Sequence, residues 1–372
     1  ATWDLPANRE LQLTITGGGI KEGNSAALKV GFVNNVRAGR AIAVTLTRNA
    51  ASEASASDIG FTSGTITIPA GQREVTINGF VTAQTDQVLE ATETFTLDGA
   101  STSISGLSVA SATDSIVDAT SDNPANKVIT ISAQPAPMNE GSSYAVSFSL
   151  PAGVTTEVPI NIYPSTGAGS TAVDADYMFD LLPQLNNGNA SVSEDIIINA
   201  DGILEPDETL VINAAALGLP GVTFVPASVT LKDGDFIPGM PLVVTSSLPF
   251  ITEGGTTGAM ITVALPDNKI TSYDIPVTIT KNASSIATDA EHTALPTNLV
   301  IVAGARSVSF PQPILANSDN LLEEDESIVI DASTPGMSIG SFSLPVKDGG
   351  NPKVTLQPQP FSAGTKVGEG NN

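Results

Sequence analysis

The chain contains no cysteine, one histidine and one tryptophan among its 372 residues. The missing cysteines exclude disulfide staples, thiolate metal sites and cysteine nucleophiles together. With His292 as the only imidazole, catalysis by a histidine base has little to work with, and this residue, which has no counterpart elsewhere in the chain, is expected at the surface. Zinc and copper lose their preferred ligands for the same reason. Aromatic residues are scarce at 5%, which leaves few stacking platforms for a sugar cleft. Basic residues are scarce too. Fifteen Lys and Arg stand against 39 Asp and Glu, a net charge of −24. Phosphate contacts need basic clusters, so the charge argues against nucleic acid and anionic lipid as partners and favours divalent cations. No apolar run approaches the roughly 18 residues that would span a membrane. The start at Ala1 does not read as a signal peptide, and the chain reads as a fragment.

What the sequence does contain is a repeat of domain length. The pattern Asp-x3-Glu-x2-Glu occurs as Asp86/Glu90/Glu93, Asp201/Glu205/Glu208 and Asp319/Glu323/Glu326, at offsets of 115 and 118 residues. Three other acidic features keep step with it. Acid-glycine pairs stand at Glu22-Gly23, Glu140-Gly141 and Glu253-Gly254, with a further copy at Glu369-Gly370. A lone aspartate follows each of the first three pairs by 36 residues, at Asp58, Asp176 and Asp289. A last aspartate closes the final apolar run of each unit, at Asp118, Asp233 and Asp348. The units are longer than solenoid repeats, so this is a string of domains. The boundaries drawn from these marks are a lead-in over 1–10, repeats over 11–120, 127–235 and 242–350, and the first strand of a fourth repeat over 351–372.

Between the acids lie short alternating apolar runs such as LQLTI, AIAVTLT and EVTINGFV, separated by Gly, Pro and Asn turns. That spacing is the mark of an all-β sandwich. A hairpin is expected in each copy, in GTITIPAGQREVTI, LLPQLNNGNASVSEDIII and NLVIVAGARSVSF, with Gly71, Gly188 and Gly304 at the turns where φ > 0 is needed. No amphipathic helix is visible. Positions tens of residues apart can meet at one end of a sandwich through neighbouring loops. Repeated carboxylates gathered there suit calcium, a hard cation that takes six to eight oxygen ligands. A single acidic run of this kind would read as a solvated turn, but three in register do not.

The ordered set of acid-glycine pair, mid-repeat aspartate as in DADY, acidic stretch as in DGILEPDETLVI and closing LKDGD resembles the Calx-beta domain. That family occurs in sodium/calcium exchangers, in an integrin subunit and in tandem arrays of large bacterial surface proteins. The resemblance implies immunoglobulin-like antiparallel β-sandwiches in an elongated tandem array, with calcium at one end of each domain near the next. It implies as ligands Glu22, Asp58, Asp86, Glu90, Glu93 and Asp118 in the first repeat. In the second they are Glu140, Asp176, Asp201, Glu205, Glu208 and Asp233, joined by Asp235; in the third, Glu253, Asp289, Asp319, Glu323, Glu326 and Asp348. Backbone carbonyls of Val88, Ile203 and Leu321 are further candidates. Thr85, Ala200 and Ser318 stand where the high-affinity exchanger sensors carry another aspartate, so one or two ions per repeat at roughly 10⁻⁴ to 10⁻³ M is the expectation, as suits an extracellular module.

These features point away from an enzyme. The expectation is a calcium-stiffened stalk segment of a giant bacterial cell-surface adhesin, of the kind carried by gliding bacteria, touching its neighbouring repeats and presenting a surface- or glycan-binding region elsewhere. Two other classes stay open: a ligand- or carbohydrate-binding module, for which Tyr144, Tyr163 and Tyr177 mark the second repeat, and a calcium-sensing regulatory domain.

Overall fold

A computed structural model describes residues 5–349 except 63, 135, 180, 181, 235–238, 320 and 322. The expected fourth-repeat strand over 351–372 and the candidate ligand Asp235 lie outside the described residues. Among the described residues the chain is all-β, its helical turns being short 3-10 segments. It folds into three immunoglobulin-like β-sandwiches.

The first sandwich contains β1 (Glu10–Thr16), β2 (Ile20–Lys21), β3 (Ser25–Phe32), β4 (Ile42–Arg48), β5 (Ile59–Phe61), β6 (Thr65–Ile68), β7 (Glu74–Ala83), β8 (Val88–Leu89), β9 (Glu93–Ala100), β10 (Ser108–Ala110) and β11 (Ala112–Val117). One sheet runs β10-β1-β3-β7-β5 and the other β2-β11-β9-β4-β6. Alternation in sequence becomes alternation in burial. In β4, Ile42, Val44 and Leu46 point inward and the intervening residues outward. Leu28, Phe80 and Phe95 are fully buried at the centre, each contributing roughly 1.5–3 kcal/mol of transfer free energy. The second sandwich repeats this plan around Ile129, Phe148 and Leu210. The third has sheets of three and five strands around Ile261, Ile328 and Leu344.

The three expected hairpins are not hairpins. β6 pairs with β4 in one sheet and β7 with β3 in the other. Gln184–Leu185 and Ser191–Ile198 likewise pair with different partners in opposite sheets, as do Asn298–Ile301 and Ser307–Ser309. The turn glycines do take left-handed conformations, at φ of 83°, 79° and 80° for Gly71, Gly188 and Gly304. Their turns carry the chain over the core edge from one sheet to the other. Period-2 alternation reveals a strand and its inward face, but two strands facing each other across a core alternate in the same way as two joined by a ladder.

One of these eleven strands serves another domain. β8 is not a member of either sheet of the first sandwich. It pairs in parallel with Thr155–Thr156, matching Val88 to Thr155 and Leu89 to Thr156, and Leu89 is fully buried within the second core. Ile203–Leu204 makes the same parallel pairing with Ile270–Thr271, and Leu204 is buried in the third core. Contacts accordingly group 200–206 with the third sandwich and 207–232 with the second. The acidic stretch DGILEPDETLVI is thus a strap, its first part grouped with the third sandwich and its second part opening a strand of the second.

Candidate metal centre

Each acid-glycine pair pins both sheets of its sandwich at one end. Glu22 N donates to Val117 O of the last strand at 3.1 Å and Gly23 N to Ala83 O of the opposite sheet at 3.0 Å. The same two bonds run from Glu140 to Lys232 and Gly141 to Ile198, and from Glu253 to Lys347 and Gly254 to Ala316. The glycines hold φ of 76°, 71° and 64°, a conformation in which a side chain is strained. This turn fixes the preceding glutamate at the pole.

The strap is held by two further aspartates in the same way each time. Its first aspartate accepts the backbone N–H two residues on, as Asp86 Oδ1 from Val88, Asp201 Oδ1 from Ile203 and Asp319 Oδ1 from Leu321, all at 2.8 Å. In the first two repeats this Asx turn starts the two-residue strand. The closing aspartate accepts the N–H of the strap glutamate: Asp118 Oδ2 from Glu90 at 3.1 Å, Asp233 Oδ2 from Glu205 at 3.0 Å and Asp348 Oδ2 from Glu323 at 3.2 Å. Asp118 also accepts from Thr120 N at 2.6 Å, which starts the 3-10 turn leading to the next domain.

In the first sandwich these bonds bring Glu22, Asp86 and Glu90 together, with one carboxylate oxygen from each within 4.8 Å of the others. Asp58 lies alongside, its carboxylate accepting Ser55 N and contacting Glu93. Glu22, Asp58, Glu90 and Asp118 are all more than nine-tenths buried. Among the described residues, no Lys or Arg forms an ion pair with any of these acids. Burial, followed by the neighbouring charges, pushes Glu90 up to about 8 and Glu93 up to about 7. Burial likewise raises Glu22, opposed by the N–H of Ala119 and reinforced by Asp86, Asp118 and Asp58. One oxygen of Glu93, Oε2, is buried without a hydrogen-bond partner.

In the second sandwich Asp176 accepts Val173 N at 2.6 Å and its carboxylate reaches within 4.8 Å of Glu208. In the third, the spacing of 36 residues misleads. Asp289 is exposed and paired with Lys281 Nζ at 2.7 Å, and Glu291 takes the mid-repeat place. The backbone identifies it: Gln84 N donates to Asp58 O, Asn199 N to Asp176 O and Asn317 N to Glu291 O, and each acid accepts an N–H three residues back, that of Thr288 for Glu291. Two extra residues in this loop shift the acid while leaving an unrelated aspartate in register. Glu291, Asp319 and Glu323 then form the third cluster. Burial raises Glu253 and Glu323, with surrounding carboxylates adding to it. Glu326 rises to about 7 through burial and its hydrogen bond with Glu291, and Glu323 Oε2 and Glu326 Oε2 are buried without partners.

The residues fit a hard divalent cation. Oxygens bound at 2.3–2.6 Å around one ion stand at most about 5 Å apart, and the clustered oxygens satisfy that limit. Buried carboxylates held at neutral pH against mutual repulsion are what a cation would relieve. Sequence reasoning missed two contributors besides Glu291. Glu157, from the second sandwich, lies close enough to Glu90 and Glu93 to raise both. The leucine inside DQVLE and DGILE recurs at one place in each strap, a signal legible in the repeat itself.

One other expectation is corrected. His292 is not a surface residue: it is 4% exposed, with its backbone bridged to Ala316 and Nδ1 2.8 Å from Thr293 O. Its side chain is buried, which its polarity does not foretell. Tyr177 is buried with its ring edge-on to Phe179, Tyr144 OH accepts Asn139 N, and Tyr163 is exposed on its strand.

No family model matches the chain, and no curated protein matches it. Among solved structures it is similar to CBD12 from CALX1.2, with 13% identity, 57% of this chain and 83% of that chain covered, and a TM-score of 0.25. It is similar to the Escherichia coli adhesin FdeC, with 12% identity, coverage of 92% and 97%, and a TM-score of 0.31. A third likeness is to protocadherin gamma B2 extracellular cadherin domains 3–6, at 8% identity, coverage of 91% and 73%, and a TM-score of 0.27. Likenesses at this level carry no argument about function. No helix among the described residues is long and apolar enough to cross a membrane.

Proposed function

We propose that each sandwich binds calcium at its acidic pole and that the chain serves as a calcium-stiffened stalk segment of an extracellular surface adhesin, without enzymatic activity. The observation that supports this reading is the threefold recurrence of one built pole: the acid-glycine pin, the Asx-turned strap and the closing aspartate. In the first sandwich Glu22, Asp86 and Glu90 would hold an ion, with Asp58 and Glu93 beside them and Glu157 reaching in from the next domain. In the third, Glu253, Glu291, Asp319, Glu323 and Glu326 would do so. The cation would supply positive charge to a buried acidic cluster and thereby favour the folded pole and its strap. A role in gliding attachment, with a glycan- or surface-binding region elsewhere, is the finer form of this proposal.

Calorimetry tests it. A ligand that binds the folded state alone stabilises it by about 2.7 kcal/mol at a hundredfold excess over Kd, so millimolar calcium should raise the melting midpoints well above those in chelator, with magnesium less effective because it demands octahedral geometry. Midpoints identical in calcium and chelator would remove calcium from the reading. For the stalk role, single-molecule stretching should show higher unfolding forces in calcium; forces indifferent to the ion would leave binding without a mechanical purpose.

A further inference from the structure

The two filled strap sites define what an acceptor looks like, and the first sandwich has an equivalent place at which no strap from the described residues is paired. In the second sandwich Thr155 N donates to Gln87 O at 3.1 Å and Glu157 N to Leu89 O at 2.9 Å. In the third, Ser272 N donates to Leu204 O at 2.9 Å. The acceptor residue between these donors is fully buried in both, as Thr156 and Thr271, and its carbonyl accepts the N–H of the turn glycine, Gly188 at 2.8 Å or Gly304 at 2.7 Å. In the first sandwich Gly71 N makes that bond to Ala38 O at 2.7 Å. Ala38 is therefore the equivalent of Thr156, and Arg37 and Gly39 are the equivalents of Thr155 and Glu157.

At that place lies a cavity of about 170 Å³, lined by Asn8, Phe32, Val36, Ala38, Gly39 and Ile104 among others. Val36 is half-buried, whereas Val154, its counterpart in the core that takes Leu89, is 2% exposed. The N–H groups of Arg37 and Gly39 have no backbone partner among the described residues. The approach to the cavity is also shared. The turn Pro6–Arg9, reading PANR, precedes the first sandwich as Pro124–Lys127, reading PANK, precedes the second.

We propose that the cavity beside Val36–Gly39 is a strap-binding site that takes the Asp-x-(Val/Ile)-Leu-Glu segment of a repeat joined ahead of the first sandwich, its leucine filling the cavity and its backbone pairing with Arg37 and Gly39. Each repeat then completes the core of the one that follows it. The site depends on apolar fit and backbone pairing, and so stands apart from cation binding.

The test supplies the strap to the full-length chain. Residues 85–91, TDQVLEA, are attached ahead of residue 1 through a flexible Gly/Ser linker of about 15 residues, which reaches roughly 20 Å and gives an effective concentration near the millimolar range. Amide exchange is then followed residue by residue. Protection at Arg37 and Gly39 should rise by about tenfold or more toward that of Thr155 and Glu157 in the same molecule, and a tethered strap carrying Leu89→Asp should leave it unchanged. A second variant, Leu89→Ala at its native position in the untethered chain, should lower protection at Glu157. Unchanged exchange at Arg37 and Gly39 with the tethered strap would overturn the proposal. So would protection there that rises with concentration of the untethered chain, since the occupant would then be a second copy.

Discussion

Glu90 shows what a buried acidic pole costs without a cation. Its folded value is raised above that of the unfolded chain, so the stability it contributes is present below about 4.5 and is lost as pH rises through about 8; Glu93 and Glu326 lose theirs through about 7. In chelator the chain should therefore melt higher at pH 5 than at pH 8.5, and calcium should erase or invert that order, because the ion binds the charged carboxylates. A flat profile in chelator would mean that these groups are already compensated. Glu90→Gln removes the charge and keeps the shape. After discounting for solvent screening, the gain at pH 8 without calcium should be about 1 kcal/mol, roughly 4–8 °C for a domain of this size, accompanied by weaker calcium binding in the first sandwich. The third sandwich offers a sharper contrast. Glu291→Ala should weaken its calcium binding by titration calorimetry, while Asp289→Ala should leave it within error, since Asp289 is exposed and faces Lys281 and His292. The sequence marked most of the pole because backbone pins need fixed spacings. It failed at Asp289 because this loop is longer by two residues and still leaves an acid in register.

At the level of elements, the legible part was each strand and its inward face; the illegible part was its partner. GTITIPAGQREVTI has the turn glycine and the alternation of a hairpin, yet its arms lie in opposite sheets. The strap was harder still, because a two-residue strand has no period to read. Its meaning lies in Leu89 and Leu204, each counted by position in one repeat and by burial in the next. This displacement gives a clear prediction. Leu89→Ala should cost about 2–5 kcal/mol, as truncation of a buried leucine does, and the loss should appear in the second sandwich, whose core it fills, before it appears in the first, whose sequence carries it. Exchange rates of Ile131, Phe148 and Ile196 report the second core, and those of Leu28, Phe80 and Phe95 the first. Equal loss in both, or loss confined to the first, would mean that the strap belongs energetically to its own repeat.

For the molecule as a whole, a strap that points one way makes coupling directional. In repeat proteins stability is roughly a sum of intrinsic terms and nearest-neighbour terms, and here the neighbour term between the first two sandwiches includes a core side chain supplied by only one of them. Unfolding the first sandwich frees β8 and withdraws Leu89 from the second core. Unfolding the second removes no core residue from the first. The asymmetry can be measured with two substitutions of the same kind, Phe95→Ala in the first core and Phe148→Ala in the second, both fully buried and each expected to cost about 3–5 kcal/mol locally. Under increasing denaturant, Phe95→Ala should bring forward exchange in the second sandwich as well as the first, whereas Phe148→Ala should leave the first sandwich close to its wild-type profile. Calcium should strengthen the coupling, because Asp86 and Glu90 flank the strap and Glu157 meets them from the receiving side. The net charge of −24 sets the background: raising salt from 0.01 to 0.15 M shortens the screening length from about 30 to 8 Å and should stabilise the chelated chain while leaving the direction of coupling unchanged. Symmetric propagation from either core would show that the shared surface outweighs the strap, and the order of unfolding would then follow the intrinsic stability of each sandwich instead of its place in the chain.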